Sequence, residues 1–569
     1  MYPLSECICC HFELHVCQSV IGDQKPVGAS FQACHSRNVL FRTLLHSEDS
    51  PEMDSLSPAK VLLLAVHLAA SADVDGLGSL AAQHGAILRQ ELVLRIILTH
   101  LPETITPSTY VPLLQAIANE NVETLQTGAD IDTSFVEGIT DDVAAKKARK
   151  LHLLHLASED TPEECKDDNL SLFLFQRTYR MNRETGIVSL LPELLLPFVE
   201  HSPVLRTWII STIIPFVRRT YEYHTPSSGA HTLLDFQKLP DQAAADYLLS
   251  QTGLRQDEHD NIGRDFRGIV GPWLYNTRRW KAEDGQEQQG THCPGWEQIL
   301  EHLLSWNSKS WPVSVGAIEQ WGGPRDIDFG EGLLASLEEE QQSYLEETYI
   351  RAAIAAAYTI PESTLEALAG AYHICRKAWT LIGQECEVDL ETAIRKPEFL
   401  PSIQVGISRD ARMVAHLRNG FLEKSNPLTS PTPESLTFIT TLALSAYIAT
   451  KLGLPWSIRR AGELFFLQDE REQKGEVSKI IRFISNQAPK DDESFWVRAR
   501  QTILWLHSWN LGAVSGKGGV LGAVQKEYIE TEILKALLSK SSKSRCTLYQ
   551  EKANVISVFS RKIFVRRPE

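Results

Sequence analysis

The chain has 569 residues, 43% of them hydrophobic and 22% charged, and carries a formal net charge of −16 from 56 basic against 72 acidic residues. That composition is ordinary for a folded chain, but the length exceeds one common domain unless the fold grows by adding units. The acidic excess argues against a general nucleic-acid binder and against a direct electrostatic grip on anionic lipid.

In chain order, the first 34 residues hold five of the ten cysteines: Cys7, Cys9, Cys10, Cys17 and Cys34. The other five are scattered, which points to a reducing compartment rather than a disulfide framework. Cys7, Cys9, Cys10 and Cys17, with His11 and His15, lack the paired-knuckle spacing of a structural zinc site. The start has neither a positive n-region nor a clean apolar h-region, so no signal peptide is read. Residues 1–52 are expected to be a poorly ordered extension.

"SPAKVLLLAVHLAA" follows, with Ser57 as N-cap and Pro58 at the first helical position. Val74, Leu77 and Leu80 mark a second short helix. Gly76 and Gly78 imitate a dinucleotide fingerprint, but no strand precedes them and no βαβ alternation follows. In "QELVLRIILTHLPE", Glu91 and Arg95 pair four apart while apolar residues cover most of the circumference. Such a helix is buried on several sides. Thr106-Pro107 opens another helix through Tyr110, Leu113, Leu114 and Ile117. Residues 119–142 are polar and read as a loop, and "AAKKARKLHLLHLA" resumes the helix. His152 and His155 lie three apart on it with no third ligand, so packing or surface roles outweigh metal binding. Thr161-Pro162-Glu163-Glu164 is read as a capping box, Thr161 with Glu164.

The apolar stretches Val204–Val217 and Leu436–Ala449 are each roughly 14 residues, short of the ~18 needed to span a bilayer. Asn276–Gly295 reads as a linker or insertion. Six of the twelve Trp lie between Trp273 and Trp321 and are expected to be core anchors. Three further helices follow, in "GWEQILEHLLSW", "SYLEETYIRAAIAAAY" and "PESTLEALAGAYHICRKAW", and Thr432-Pro433 starts another. "SGKGG" (Ser515–Gly519) lacks phosphate-loop spacing and reads as a surface loop. Residues 539–569 hold eight Lys/Arg against two Glu and form a basic tail.

Helix starts at 57, 106 and 161 are 49 and 55 residues apart, compatible with stacked helix pairs but not a repeat signature. No GxSxG elbow or HExxH occurs. The acidic pairs Asp141-Asp142 and Asp491-Asp492 are placed in solvated loops, where carboxylate pKa values are not usefully displaced. The expectation is therefore an all-α protein with no catalytic, cofactor-binding or metal-ligating residues, and with no partner-contacting residue singled out. It is laid out as an elongated α-solenoid of stacked antiparallel helix pairs over 53–276 and 296–538, joined through 277–295. About 485 residues at ~40 per pair give roughly 12 pairs, and ~10 Å per layer gives a rod on the order of 120 Å.

"KVLLLAVHLAASADVDGL", "ELVLRIILTHLPETITPSTYVPLL", "DFRGIVGPWLY", "PGWEQILEHLLSW", "AIEQWGGPRDID" and "NPLTSPTPESLTFITTLALSAYIATKLGLPWSIRRAGELFFLQDEREQ" resemble the fungal secretory-pathway Sec39 domain family, relatives of the neuroblastoma-amplified-sequence protein. The likeness runs from about Met53 to about Leu538. It leaves out residues 1–52, and Ser539–Glu569 does not look like the family. The resemblance implies a non-enzymatic, solenoid-like subunit of the Dsl tethering complex, peripheral to the cytoplasmic face of the endoplasmic reticulum (ER) membrane. There it would receive COPI vesicles from the Golgi. The implied partners are other Dsl-complex tether subunits and ER SNARE N-terminal domains; no cofactor and no small-molecule substrate are implied.

Overall fold

The computed structural model describes residues 56–121, 131–225, 231–255, 261–281, 292–386, 390, 407, 410–487, 493–510 and 518–540. The expected all-α class is observed: helices make up the fold, and the only β pairing among the described residues is one isolated bridge, Lys281 with His292. The sequence-stretches 1–52 and 541–569, and the pair Asp491-Asp492, lie outside the described residues.

The first layer contains α1 (Pro58–Ala70), α2 (Val74–Gln83), α3 (Gln90–His100), α4 (Pro107–Ala118) and α5 (Asp141–Ala148). Pro58 and Pro107 sit in the first turns of α1 and α4, where a missing N–H costs nothing. Neither Ser57 nor Thr106 caps its helix with its side chain. Ser57 Oγ instead donates to Asp141 Oδ1 (2.7 Å), joining the starts of α1 and α5. In α3, Val93, Leu94, Ile96, Ile97 and Leu98 are buried, and Arg95 pairs with Glu91 at 3.4 Å. α1 packs on α2, α3 and α5, and α3 packs on α6 (Asn169–Thr185).

Three local expectations fail here. The segment 119–142 is not wholly a loop: Ser134–Glu137 forms a helical turn and Asp141-Asp142 open α5. Conversely, "AAKKARKLHLLHLA" is not helical throughout, because α5 stops at Ala148. Arg95 donates to the carbonyls of Leu154 (2.9 Å) and Leu153 (3.3 Å), and Thr99 accepts from Leu154 N–H (2.9 Å). Those long-range bonds take the backbone groups a continuing helix would use. The Thr161 capping box is absent too. Thr161 Oγ1 bonds Ser158 instead, and a 3₁₀ turn, Glu163–Cys165, starts after Pro162.

α7 is a helical run over 203–222 in which the turns Ile209–Ile213 and Arg218–Glu222 are π-type. Nearly every residue from Trp208 to Thr220 is buried, so the apolar stretch at 204–217 is a central core helix. Among the described residues no helix is long and apolar enough to cross a membrane. α8 (Leu233–Lys238) and α9 (Asp241–Leu249) follow, then α10, a run over 262–273 that contains a third π turn, Phe266–Val270. α7 and α10 pack through their π turns.

α11 (Pro294–Gln320) breaks at Ser310, ahead of Pro312. Its two arms fold back, bringing Trp296 and Trp321 to 6.2 Å between ring centroids. Tyr349 of α12 (Glu339–Thr359) lies 4.8 Å from Trp321, and Phe266 of α10 lies 5.2 Å from it. These rings weld the first half of the chain to the second. The Trp residues are core anchors as expected: Trp273, Trp296 and Trp321 have no exposed surface, Trp280 and Trp306 are buried, and Trp311 is half-buried.

The second half continues with α13 (Leu365–Leu381), α14 (Pro433–Lys451), α15 (Ile458–Leu467), α16 (Glu470–Gln487), α17 (Glu493–Ser508) and α18 (Lys526–Lys540). α14 is buried almost all round. Its Thr437, Thr441 and Ser445 hydroxyls donate to carbonyls four residues back, so they need no other partner. Extensive packing follows chain order: α9 and α10 on α11, α11 on α12 and α13, α13 on α14, α14 on α15, and α18 on α16 and α17. Among the described residues, no helix ending before residue 274 packs extensively on one beginning after residue 338. The two halves meet through α11 and through loop 321–334, from which Asp328 accepts from Arg218 and Leu334 from Arg206.

Candidate functional site

The glycines that imitate nucleotide-binding loops in the sequence have structural roles. Gly76 and Gly78 lie inside α2, where Asp73 accepts from Gly76 N–H at 2.9 Å. A Cβ on Gly76 would stand 2.5 Å from the Asp73 carboxylate, so this glycine makes room for the cap. His152 and His155 are exposed on the extended segment after α5 rather than on a helix. Of "SGKGG", Ser515–Lys517 lie outside the described residues, but Gly518 and Gly519 are buried rather than superficial. Gly519 N–H donates to His507 O, and a Cβ there would meet Leu506 O at 2.4 Å. The cysteines Cys7, Cys9, Cys10 and Cys17 lie outside the described residues. Among the described residues no three His, Cys, Asp or Glu side chains are placed to hold a metal.

Open clefts among the described residues include three of similar size. One of about 560 Å³ is lined by Glu319, His373, Arg376, Lys377 and Cys386. A second of about 510 Å³ is lined by Trp208, Phe236, Gln237, Arg278 and Arg279, among others. The third, of about 450 Å³, includes Glu339, Glu340, Glu347 and Lys424. The pair most like a catalytic dyad, His224 with Asp265 at 2.9 Å, lines none of them. It is buried and joins the end of α7 to α10, with Thr252 Oγ1 also donating to Asp265.

What recurs instead is a set of guanidinium groups that donate to the ends of neighbouring helices. The last carbonyls of a helix have no partner within it, and a cation there also complements the helix dipole. Arg177 of α6, with 0% exposure, donates to Leu101 O (2.7 Å) and Pro102 O (2.6 Å) just past α3. Arg219 donates to Tyr247 O near the end of α9, and Arg264 to Tyr223 O just past α7. Arg267 reaches Gln320 O at the end of α11, Arg279 reaches Trp273 O at the end of α10, and Arg459 reaches Tyr358 O at the end of α12. In every case the arginine lies on a different element from the helix it caps.

The electrostatics fit this fixed arrangement. Burial lowers the pKa of Arg279 despite its pairing with Asp241 at 2.8 Å; the group also stacks 3.9 Å from the Trp273 ring. At Glu103 burial acts upward, but hydrogen bonding and charge from Arg180, with Arg177 nearby, bring the net shift down. Asp168 caps α6 by accepting from Leu170 and Ser171 N–H, and His201 Nε2 lies 3.1 Å from its carboxylate. Burial works against that charge, yet the Ser171 and His201 contacts hold the carboxyl below its usual range. The Cys293 thiol is pushed up to about 11 by burial, the opposite of an activated nucleophile. None of the arginine caps was legible in advance, because each joins residues 28 to 101 positions apart or reaches a helix end whose position the sequence leaves loose, except the short Arg279 link.

No curated protein matches the chain. A family model described as secretory pathway protein Sec39 matches residues 62–555, most of the chain, and the chain belongs to that family. The match ends beyond Leu538, so the first part of the basic segment 539–569 is family sequence, contrary to the expectation above.

Proposed function

We propose that this member of the Sec39 secretory-pathway family is a non-enzymatic subunit of a vesicle-tethering complex on the cytoplasmic face of the ER. In this reading it supports Golgi-to-ER retrograde transport of COPI vesicles by holding other Dsl-complex tether subunits and ER SNARE N-terminal domains together. The family match carries the reading. The packing supports it: the extensive helix-helix contacts run largely between neighbours in chain order, as they would in a body that grows by adding helices. Arginine-capped helix ends and the aromatic cluster at α11 would help such a body hold its partners' docking surfaces in place. The extended stack of helices, an elongated α-solenoid, would dock partners helix against helix.

Purification of the full chain from its own cells, with partners identified by mass spectrometry, tests this. Tether subunits and ER SNAREs should be recovered together, and the chain should sediment with ER membranes. Recovery with coat or nuclear-transport proteins, and with neither expected partner, would favour a helical adaptor acting elsewhere.

A further inference from the structure

We infer that the exposed face of α5 and the segment after it form a direct contact site for an anionic phospholipid bilayer. Four cations, Lys146, Lys147, Arg149 and Lys150, fall within five residues, and all four are exposed. None of them forms an ion pair with a described residue, whereas the nearby Lys60 is taken up by Asp141. The face is set by what α5 buries. Ala144 and Ala148 have 0% and 4% exposure, and α5 packs against α1. Val143, Lys146 and Lys147, at i, i+3 and i+4, then lie outside that buried stripe, with the exposed Asp142 beside Lys146. Turn hydrogen bonds from Arg149 N to Ala145 O and from Lys150 N to Lys147 O carry the helical course on, so Lys150 joins that face at i+7.

Two apolar side chains that the core would normally take flank these cations in the sequence. Val143 is 45% exposed and Leu154 is 39% exposed, on either side of the cations. Arg95 and Thr99 fix the segment bearing Leu154 through its backbone, so its side chain is presented rather than free to fold away. Cations mixed with projecting apolar groups fit a lipid surface, where the charges meet headgroup phosphates and the apolar tips enter the interface. An acidic protein would use the cations but gain less from separated aliphatic tips. The net charge of −16 does not oppose this, because charges more than about 8–10 Å away are screened at physiological salt. The site is independent of the tethering reading, in which partners alone hold the chain at the membrane.

The test is flotation of the full chain with phosphatidylcholine vesicles, with and without ~30% phosphatidylserine. Binding should require the anionic lipid and weaken as salt is raised. Each lost cation should weaken partitioning about fivefold, so Lys146→Glu with Lys147→Glu and Lys150→Glu should weaken it by at least on the order of a hundredfold. Lys146→Arg, Lys147→Arg and Lys150→Arg together should bind as the unaltered chain does, which separates charge loss from misfolding. If anionic vesicles do not retain the chain at low salt, if neutral vesicles retain it equally, or if the Glu variant floats unchanged, the inference fails. It also fails if the Glu variant loses only a protein partner.

Discussion

Arg177 shows how much one side chain does in this fold. Its guanidinium is fully buried, satisfies two carbonyls past the end of α3, lies 5.4 Å from the Tyr110 ring and stands 3.9 Å from Glu103. Removing it strands the two acceptors and leaves the part-buried Glu103 with less compensating charge. We expect Arg177→Ala to cost about 3–5 kcal/mol in chemical denaturation. Arg177→Lys should recover only part of that, because an ammonium cannot span two carbonyls as a planar fork does. The short-range counterpart, Glu91 with Arg95, was readable from its spacing because i,i+4 neighbours meet on any helix. That Arg95 also holds Leu153 and Leu154 was not readable, since nothing local to either segment records the approach of the other.

Among elements, the starts of helices were legible and their ends were not. Ser57-Pro58, Thr106-Pro107 and Thr432-Pro433 each mark a true beginning because proline at the first turn fits the backbone, whatever the cap side chain does. Thr161-Pro162 has the same look but leads only to a 3₁₀ turn, so the pattern is permissive rather than sufficient. The π turns of α7 and α10 left no sequence mark, because they answer to close packing between those two runs. Gly268 illustrates this: a Cβ there would meet the Tyr223 hydroxyl at 2.4 Å. The start of α6 offers a pH test. Asp168 has a folded pKa below its unfolded value, so its stabilisation is present above the ordinary carboxylate range and is lost as pH falls through the depressed value. Stability should therefore decline below about pH 4, and Asp168→Ala should cost about 0.5–2 kcal/mol at neutral pH with less additional loss on acidification. Circular dichroism melts across pH 2–7, a range chosen to be about that of carboxylate titration, would check both.

At the scale of the molecule, the all-α class followed from helical periodicity alone. The joining of the two halves did not. The sequence reading places a linker at 277–295, but its described ends are pinned: Trp280 is buried, Lys281 bridges to His292, and Cys293 is fully enclosed. The fold-back of α11 then assembles Phe266, Trp296, Trp306, Trp321 and Tyr349 from three helices and a loop start. Trp321→Ala should cost about 3–5 kcal/mol. It should also broaden or split the thermal transition followed by tryptophan fluorescence, as the halves begin to melt separately.

The fold-back of α11 has a mechanical consequence. If one end of the chain is anchored while the other is pulled, tension between the halves crosses the α11 ring cluster, whose rings meet edge-on or tilted. A joint of that kind does not slacken when ions are added, because its cohesion is nonpolar, whereas a strap of surface charges would creep.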